Sequence, residues 1–130
     1  MIVVDTSALV AILLNEDGWM EYFTKIVEAD RAIIGAPTKF EFLMVSKGRI
    51  SESGIADADA LISAHHINVV DWTAKFADVA GQAFVRFGKG QHKAALNFGD
   101  CMAYALAKSL DAPLLFKGND FSQTDVKCAL

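Results

Sequence analysis

This sequence predicts an α/β fold: a three-layer α/β/α sandwich around a central, mostly parallel sheet of four to five strands. Two observations carry that expectation. Short β-favouring apolar runs (Ile2-Val3-Val4, Ala32-Ile33-Ile34, Ile67-Asn68-Val69-Val70 and Pro113-Leu114-Leu115-Phe116) alternate with longer stretches near helical spacing. That is the pattern of parallel strands covered on both faces by helices. The chain has 130 residues, 53% hydrophobic and 22% charged. Such a composition belongs to a globular chain with a full core, and a single domain spanning residues 1–130 is expected.

Taken in order, Ile2 to Val4 is the first strand, buried on both faces, and it stops on the carboxylate of Asp5. A helix over Ala8 to Leu14 follows, which Thr6 or Ser7 can cap. Asn15-Glu16-Asp17-Gly18 is a turn, and Trp19 to Glu28 is helical, with Trp19, Met20, Phe23, Ile26 and Val27 apolar. After the strand Ala32 to Ala36, Pro37 suits the first turn of a helix. That helix continues over Thr38 to Lys47 and is expected to break at Gly48-Arg49. Ser51 to His65 is a further helix, Ile67 to Val70 the third strand, and Thr73 caps a helix running to about Phe87. Gly88-Lys89-Gly90-Gln91-His92 reads as a flexible loop. Asp100 to Leu110 is a helix, Pro113 to Phe116 the fourth strand, Lys117 to Asp120 a turn, and Asp125-Val126 a short final strand.

Composition excludes several classes. The apolar run Ala8 to Leu14 falls far short of the roughly 18 residues that span a bilayer. No basic segment precedes an apolar one at the N-terminus, so no signal peptide is expected. Cys101 and Cys128 form neither a C-x-x-C pair nor a disulfide framework. A cytoplasmic location with no membrane association follows. A net charge of −4 argues against a general nucleic-acid coat protein.

Chemistry is suggested by four carboxylates at equivalent places in the alternating pattern. Asp5 follows strand one, Glu41 lies early in the helix after strand two, Asp100 opens a helix, and Asp120 follows strand four. Ligands in open α/β sheets bind at the carboxyl ends of the strands, where all four can converge. Clustered carboxylates repel and raise each other's pKa. A hard cation such as Mg²⁺ or Mn²⁺ removes that penalty and brings phosphoryl chemistry with it. Each acid also has a local explanation. Asp5 can cap the first helix, Thr38 and Glu41 have the spacing of a capping box, Asp100 suits a helix N-terminus, and Asp120 suits a turn. These explanations leave unaccounted why the acids recur at one end of successive units.

Four segments together resemble the PIN domain and, within it, the VapC-like toxins of bacterial type II toxin–antitoxin pairs. They are Met1 to Val10 (MIVVDTSALV), Ala36 to Glu41 (APTKFE), Leu96 to Ala105 (LNFGDCMAYA) and Pro113 to Phe121 (PLLFKGNDF). The resemblance covers essentially the whole chain and implies an endoribonuclease that cuts RNA, tRNA or another structured RNA, using Mg²⁺ or Mn²⁺. Asp5, Glu41 and Asp100 match the three core acids, and Asp120 the fourth, more variable position. Asn119 stands where similar proteins often carry a second acid, so it offers an oxygen but no charge. On this resemblance Asp5 and Asp100 hold the metal, and Glu41 and Asp120 complete the shell or orient the attacking water. Thr6 or Ser7 positions the phosphate or a metal-bound water. It further implies a cognate antitoxin, received on helices carrying Leu9, Leu13, Trp19 and Phe40 or Leu43, and a homodimer.

From Val79 to Gly99 there is no acidic residue, whereas Arg86, Lys89, Lys93 and His92 can contact an RNA backbone, with Lys117 beside them. His65 and His66 read as surface residues, and Cys101 as core. A haloacid-dehalogenase-like phosphatase would need an acid at Ser7. A response-regulator receiver would need an acidic neighbour at Asp5. The remaining alternative is a catalytically weak PIN-like module that only binds RNA or protein.

Overall fold

In a computed structural model describing Met1–Leu130, the expected strands form one four-stranded sheet, every pair parallel, with the third strand in the chain at one edge, then the second, the first and the fourth. The strands are β1 (Ile2–Val4), β2 (Ala32–Gly35), β3 (Asn68–Val70) and β4 (Leu114–Leu115). The helices are α1 (Thr6–Leu13), α2 (Trp19–Glu28), α3 (Ala36–Ile50), α4 (Gly54–Ala64), α5 (Ala74–Phe87) and α6 (Phe98–Ser109). A short 3₁₀ turn covers Phe121–Gln123.

The strand period of two sorts neighbouring residues to opposite faces. Val3, Ile33 and Leu114 pack on one side with α5 and α6, including Phe87, Tyr104 and Leu106. Ile2, Val4, Ile34 and Leu115 pack on the other with Leu9, Ile26, Phe42 and Ile62 from α1 to α4. The three layers follow directly. The chain steps from β1 outward to β2 and β3, then returns to place β4 on the other side of β1. The reversal opens a crevice beyond the carboxyl ends of β1 and β4, where open α/β sheets bind ligands.

Several local expectations change. Asp5, not Thr6 or Ser7, is the N-cap of α1, accepting from the Ser7 N–H at 3.0 Å. Gly48 does not break α3, which runs to Ile50 and ends at Ser51 with φ 119°. Its site faces open space, and the helix is held by the buried Phe42 and by Ser46, whose hydroxyl donates to the Phe42 carbonyl at 2.6 Å. A single glycine costs a helix only about 1 kcal/mol, which this packing outweighs. The Thr38–Glu41 capping box is absent, because the N-cap of α3 is Gly35, three residues before Thr38. α4 begins at Gly54 rather than Ser51. No strand forms at Asp125-Val126; instead Leu114 bridges Cys128, with the Leu114 N–H donating to Lys127 and the Ala129 N–H to Leu114.

The loop after α5 is a pinned turn. Lys89 donates to the Leu96 carbonyl, Leu96 to that of Phe87, and the Ala94 N–H to His92 Nδ1 at 3.0 Å. His65 is half-buried, its ring edge-on to Phe23 at 4.9 Å, whereas His66 is exposed.

Phe42, fully buried where α3 meets the sheet, is a direct test of this packing. Phe42→Ala is expected to lower unfolding stability by about 3–5 kcal/mol, the cost of a large cavity, read from urea denaturation at constant slope.

Candidate active site

The crevice at the carboxyl ends of β1 and β4 gathers the acids that sequence singles out. Asp5 ends β1 and is only 4% exposed. Its Oδ2 accepts from the Ser7 N–H at 3.0 Å and the Ser7 hydroxyl at 2.6 Å, while Oδ1 accepts from no protein group. The Ser7 hydroxyl in turn accepts from the Lys117 N–H at 3.0 Å, which joins the segment after β4 to the start of α1. Lys117 Nζ is spent on Glu16 at 3.1 Å, a carboxylate that also meets Arg49 at 3.6 Å.

Glu41 comes from the second turn of α3. Freed from any capping role, its Oε1 accepts from the Thr6 hydroxyl at 2.5 Å. Asp100 lies in the first turn of α6 in a capping box: Oδ2 accepts from the Asn97 N–H at 3.0 Å, and Asn97 Oδ1 accepts from the Asp100 N–H at 2.9 Å. The local readings of Asp5 and Asp100 are therefore realised. Each of Asp5 and Asp100 caps a helix with one oxygen and keeps the other free. Asp120 is exposed, just before the 3₁₀ turn, and Asn119 beside it is exposed as well.

Repulsion links Asp5 with Asp100 and Glu41, and Asp100 with Asp120 and Glu41. Burial pushes the Asp5 carboxyl up to about 7, against the lowering effect of the Ser7 hydrogen bonds, with Asp100 and Glu41 adding repulsion. Burial pushes Asp100 up to about 6, against the Asn97 N–H, with Asp120 and Glu41 adding to it. None of the four acids is paired with a Lys, Arg or His. They are not a closed cage: no three acidic, histidine or cysteine side chains stand close enough to surround an ion by themselves. The donor set nonetheless fits a hard cation, being all-oxygen, anionic and uncompensated.

The basic candidates are spread more widely. Lys89 and Lys93 are exposed and free of ion pairs. Arg86 is held 3.2 Å from Asp125, which also takes Lys108 and the buried Tyr104 hydroxyl, and it lies over the Phe87 ring. His92 turns inward, its ring edge-on to Phe87 at 5.2 Å.

Two features escaped sequence reasoning. Gly99, in the first turn of α6, lies against the Glu41 carboxylate; a glycine so early in a helix was its only signal. An apolar seam also flanks the acids. Phe98 is 77%, Phe40 63% and Met44 53% exposed, and with Met102 they wall a cavity of about 350 Å³ that includes Glu41. Phe98 and Met102 continue into a second, of about 400 Å³, against Phe84. Of the positions expected to receive a partner, Phe40 is open, Leu13, Trp19 and Leu43 are half-buried, and Leu9 is core, because α1 turns it onto the sheet. A larger cavity, about 530 Å³, lies at the opposite ends of β2 and β3 beside Arg31, His65 and His66, and shares no residue with the acids.

A family model described as PIN domain matches residues 2–127. The chain belongs to the PIN domain family. Within it the chain groups with the VapC ribonucleases: it is 42% identical over 125 residues to Ribonuclease VapC30 of Mycobacterium tuberculosis, 95% of each chain. Its fold matches VapC20 of Mycobacterium tuberculosis, described as a Sarcin-Ricin loop cleaving toxin. The TM-score is 0.79 at 18% identity, covering 97% of this chain and 96% of that one. It also matches VapBC2 from Rickettsia felis bound to a promoter DNA fragment, at TM-score 0.75 and 17% identity, with 98% and 96% covered.

The raised carboxyls make a pH prediction. An unfolded aspartate ionises near 3.9, whereas folded Asp5 and Asp100 hold their protons to about 7 and 6. The folded state therefore binds more protons between about pH 4 and 7, and this contribution to stability is lost as pH rises through 6–7. Metal-free protein in EDTA is expected to melt higher at pH 5 than at pH 7.5 by calorimetry, and Asp5→Asn to remove most of the difference. A melting temperature that is flat or climbing from pH 5 to 7.5 would contradict this.

Proposed function

We propose that this PIN-domain protein is a Mg²⁺- or Mn²⁺-dependent endoribonuclease, the toxin of a toxin–antitoxin pair, hydrolysing phosphodiester bonds in tRNA or another structured RNA. The observation that carries the reading is the buried, half-free Asp5 carboxylate among unpaired acids at the sheet's switch point. Stability alone gives no reason to gather them there.

Asp5 and Asp100 present their free oxygens as ligands, directly or through water, with Glu41 and Asp120 completing the shell or orienting the attacking water. When bound, the cation lowers the pKa of water and offsets charge on the phosphate. Thr6 fixes Glu41, and Ser7, held by the Lys117 N–H, fixes Asp5. Asn119 supplies an uncharged oxygen at the rim. In-line displacement by water breaks the bond from phosphorus to O3′, leaving a 3′-hydroxyl and a 5′-phosphate. Lys89 and Lys93 are free to follow the RNA backbone. Arg86 must first leave Asp125, and His92 contributes mainly by shaping the turn.

The seam of Phe40, Met44, Phe98 and Met102 suits a protein partner, a cognate antitoxin or a second copy. No helix is long and apolar enough to cross a membrane, and with two free thiols the chain fits the cytoplasm.

Antitoxin-free protein is expected to cut RNA with Mg²⁺ or Mn²⁺ and to stop with EDTA. Asp5→Ala is expected to lose at least about 100-fold in kcat/KM, equivalent to about 2.7 kcal/mol of transition-state stabilisation. A protein that neither cuts a tRNA and ribosomal RNA panel nor binds Mn²⁺ by calorimetry would instead be a binding module. Lys89→Ala with Lys93→Ala is expected to raise KM and flatten the dependence of log KM on log salt by about 1 to 2.

A further inference from the structure

Glu41 reaches the acid group from α3, the only one of the four acids not next to a strand end or helix start. An unpaired glutamate on a helix surface ordinarily samples several rotamers. Here its two oxygens meet different neighbours. Oε1 accepts from Thr6 on α1, and Oε2 occupies the space a Cβ on Gly99 of α6 would take.

We infer that Gly99 is a positioning residue: its missing Cβ makes the slot that, with the Thr6 hydroxyl, holds the Glu41 carboxylate among the acids. This rests on the nuclease reading above. A Cβ placed on Gly99 would overlap Oε2, Cδ and Oε1 of Glu41. The three atoms nearest to such a Cβ all belong to Glu41. The φ of Gly99 lies outside the left-handed region, since only Gly18, Gly90 and Gly118 among the glycines have positive φ. It is the second residue of a helix with a complete capping box, where alanine is the better helix former. The obstacle to a side chain is thus the end of a flexible glutamate, not backbone. By contrast, a Cβ at Gly54 or Gly88 would meet main-chain carbonyls of Ser46 or Phe84. Substitution at Gly99 therefore leaves the fold standing and expels Glu41.

The test is Gly99→Ala, read four ways. The metal-free variant is expected to melt no lower than the parent, and its crystal structure to show Glu41 turned away from Thr6. Mn²⁺ affinity by calorimetry is expected to fall about 10- to 100-fold, the range for loss of a ligand's supporting group. RNA cleavage is expected to fall through kcat. Glu41→Asp, too short to reach the slot, supplies the control: adding Gly99→Ala to it is expected to change Mn²⁺ affinity less than twofold. Thr6→Val, which removes the opposite support, is expected to follow the same pattern and is a second route should the first variant express poorly. Parental Mn²⁺ affinity in Gly99→Ala, a Glu41 still on Thr6, or multiplicative losses with Glu41→Asp would each overturn the inference. If the parent itself neither binds Mn²⁺ nor cuts RNA, the nuclease reading fails, while the metal-free structure of the variant still decides the placement of Glu41.

Discussion

A carboxylate buried at the end of a three-residue strand is the constraint to which the surrounding structure answers. Taking a carboxylate out of water costs several kcal/mol. The two hydrogen bonds from Ser7 return about 1.5–3 kcal/mol each, and the N-terminus of α1 adds about 0.3–1 kcal/mol. Burial still wins, since the Asp5 carboxyl stands near 7. The local support is thus enough to keep Asp5 in place and not enough to keep it comfortably ionised. Every neighbouring acid raises the deficit, and no arginine or lysine is brought in to cancel it. The acids thus stand assembled with no positive side chain to compensate them.

Division of labour between Thr6 and Ser7 follows from helix geometry. Adjacent residues on a helix point about 100° apart, so one hydroxyl faces α3 and the other faces back to the N-cap. Thr6 accordingly serves Glu41, while Ser7 serves Asp5 and is itself fixed by the backbone after β4. The resulting set ties α1, α3, α6 and the β4 exit to one point. Glu16, gripping both Lys117 and Arg49, reinforces the same junction from the outside.

The strands, their order of appearance and the acid positions were readable because each rests on a local signal: an apolar run, a stop, a helix that follows. Where reading failed, a tertiary contact had overruled a local preference. Gly48 looks like a terminator, but packing around Phe42 and Ser46 carries α3 past it. Thr38 and Glu41 have capping-box spacing, yet the chain enters α3 earlier, and Glu41 is claimed by Thr6, 35 residues away. Gly99 was invisible in its role because a glycine's function is defined by what occupies the space beside it, here a residue 58 positions earlier.

The tail segment has a consequence for how the molecule avoids its own kind. A small parallel sheet has two flanks, and an uncovered flank is a template for another chain. At one flank β3, three residues long, has no further strand beside it. At the other, Lys127 to Ala129 lie alongside Leu114 and occupy its backbone groups. Tyr104, Lys108 and Arg86 clasp Asp125 and hold that strip in place. Lys127 to Ala129 thus act as a guard rail on the β4 flank, and a chain clipped before Lys127 would leave the Leu114 backbone groups open to another strand.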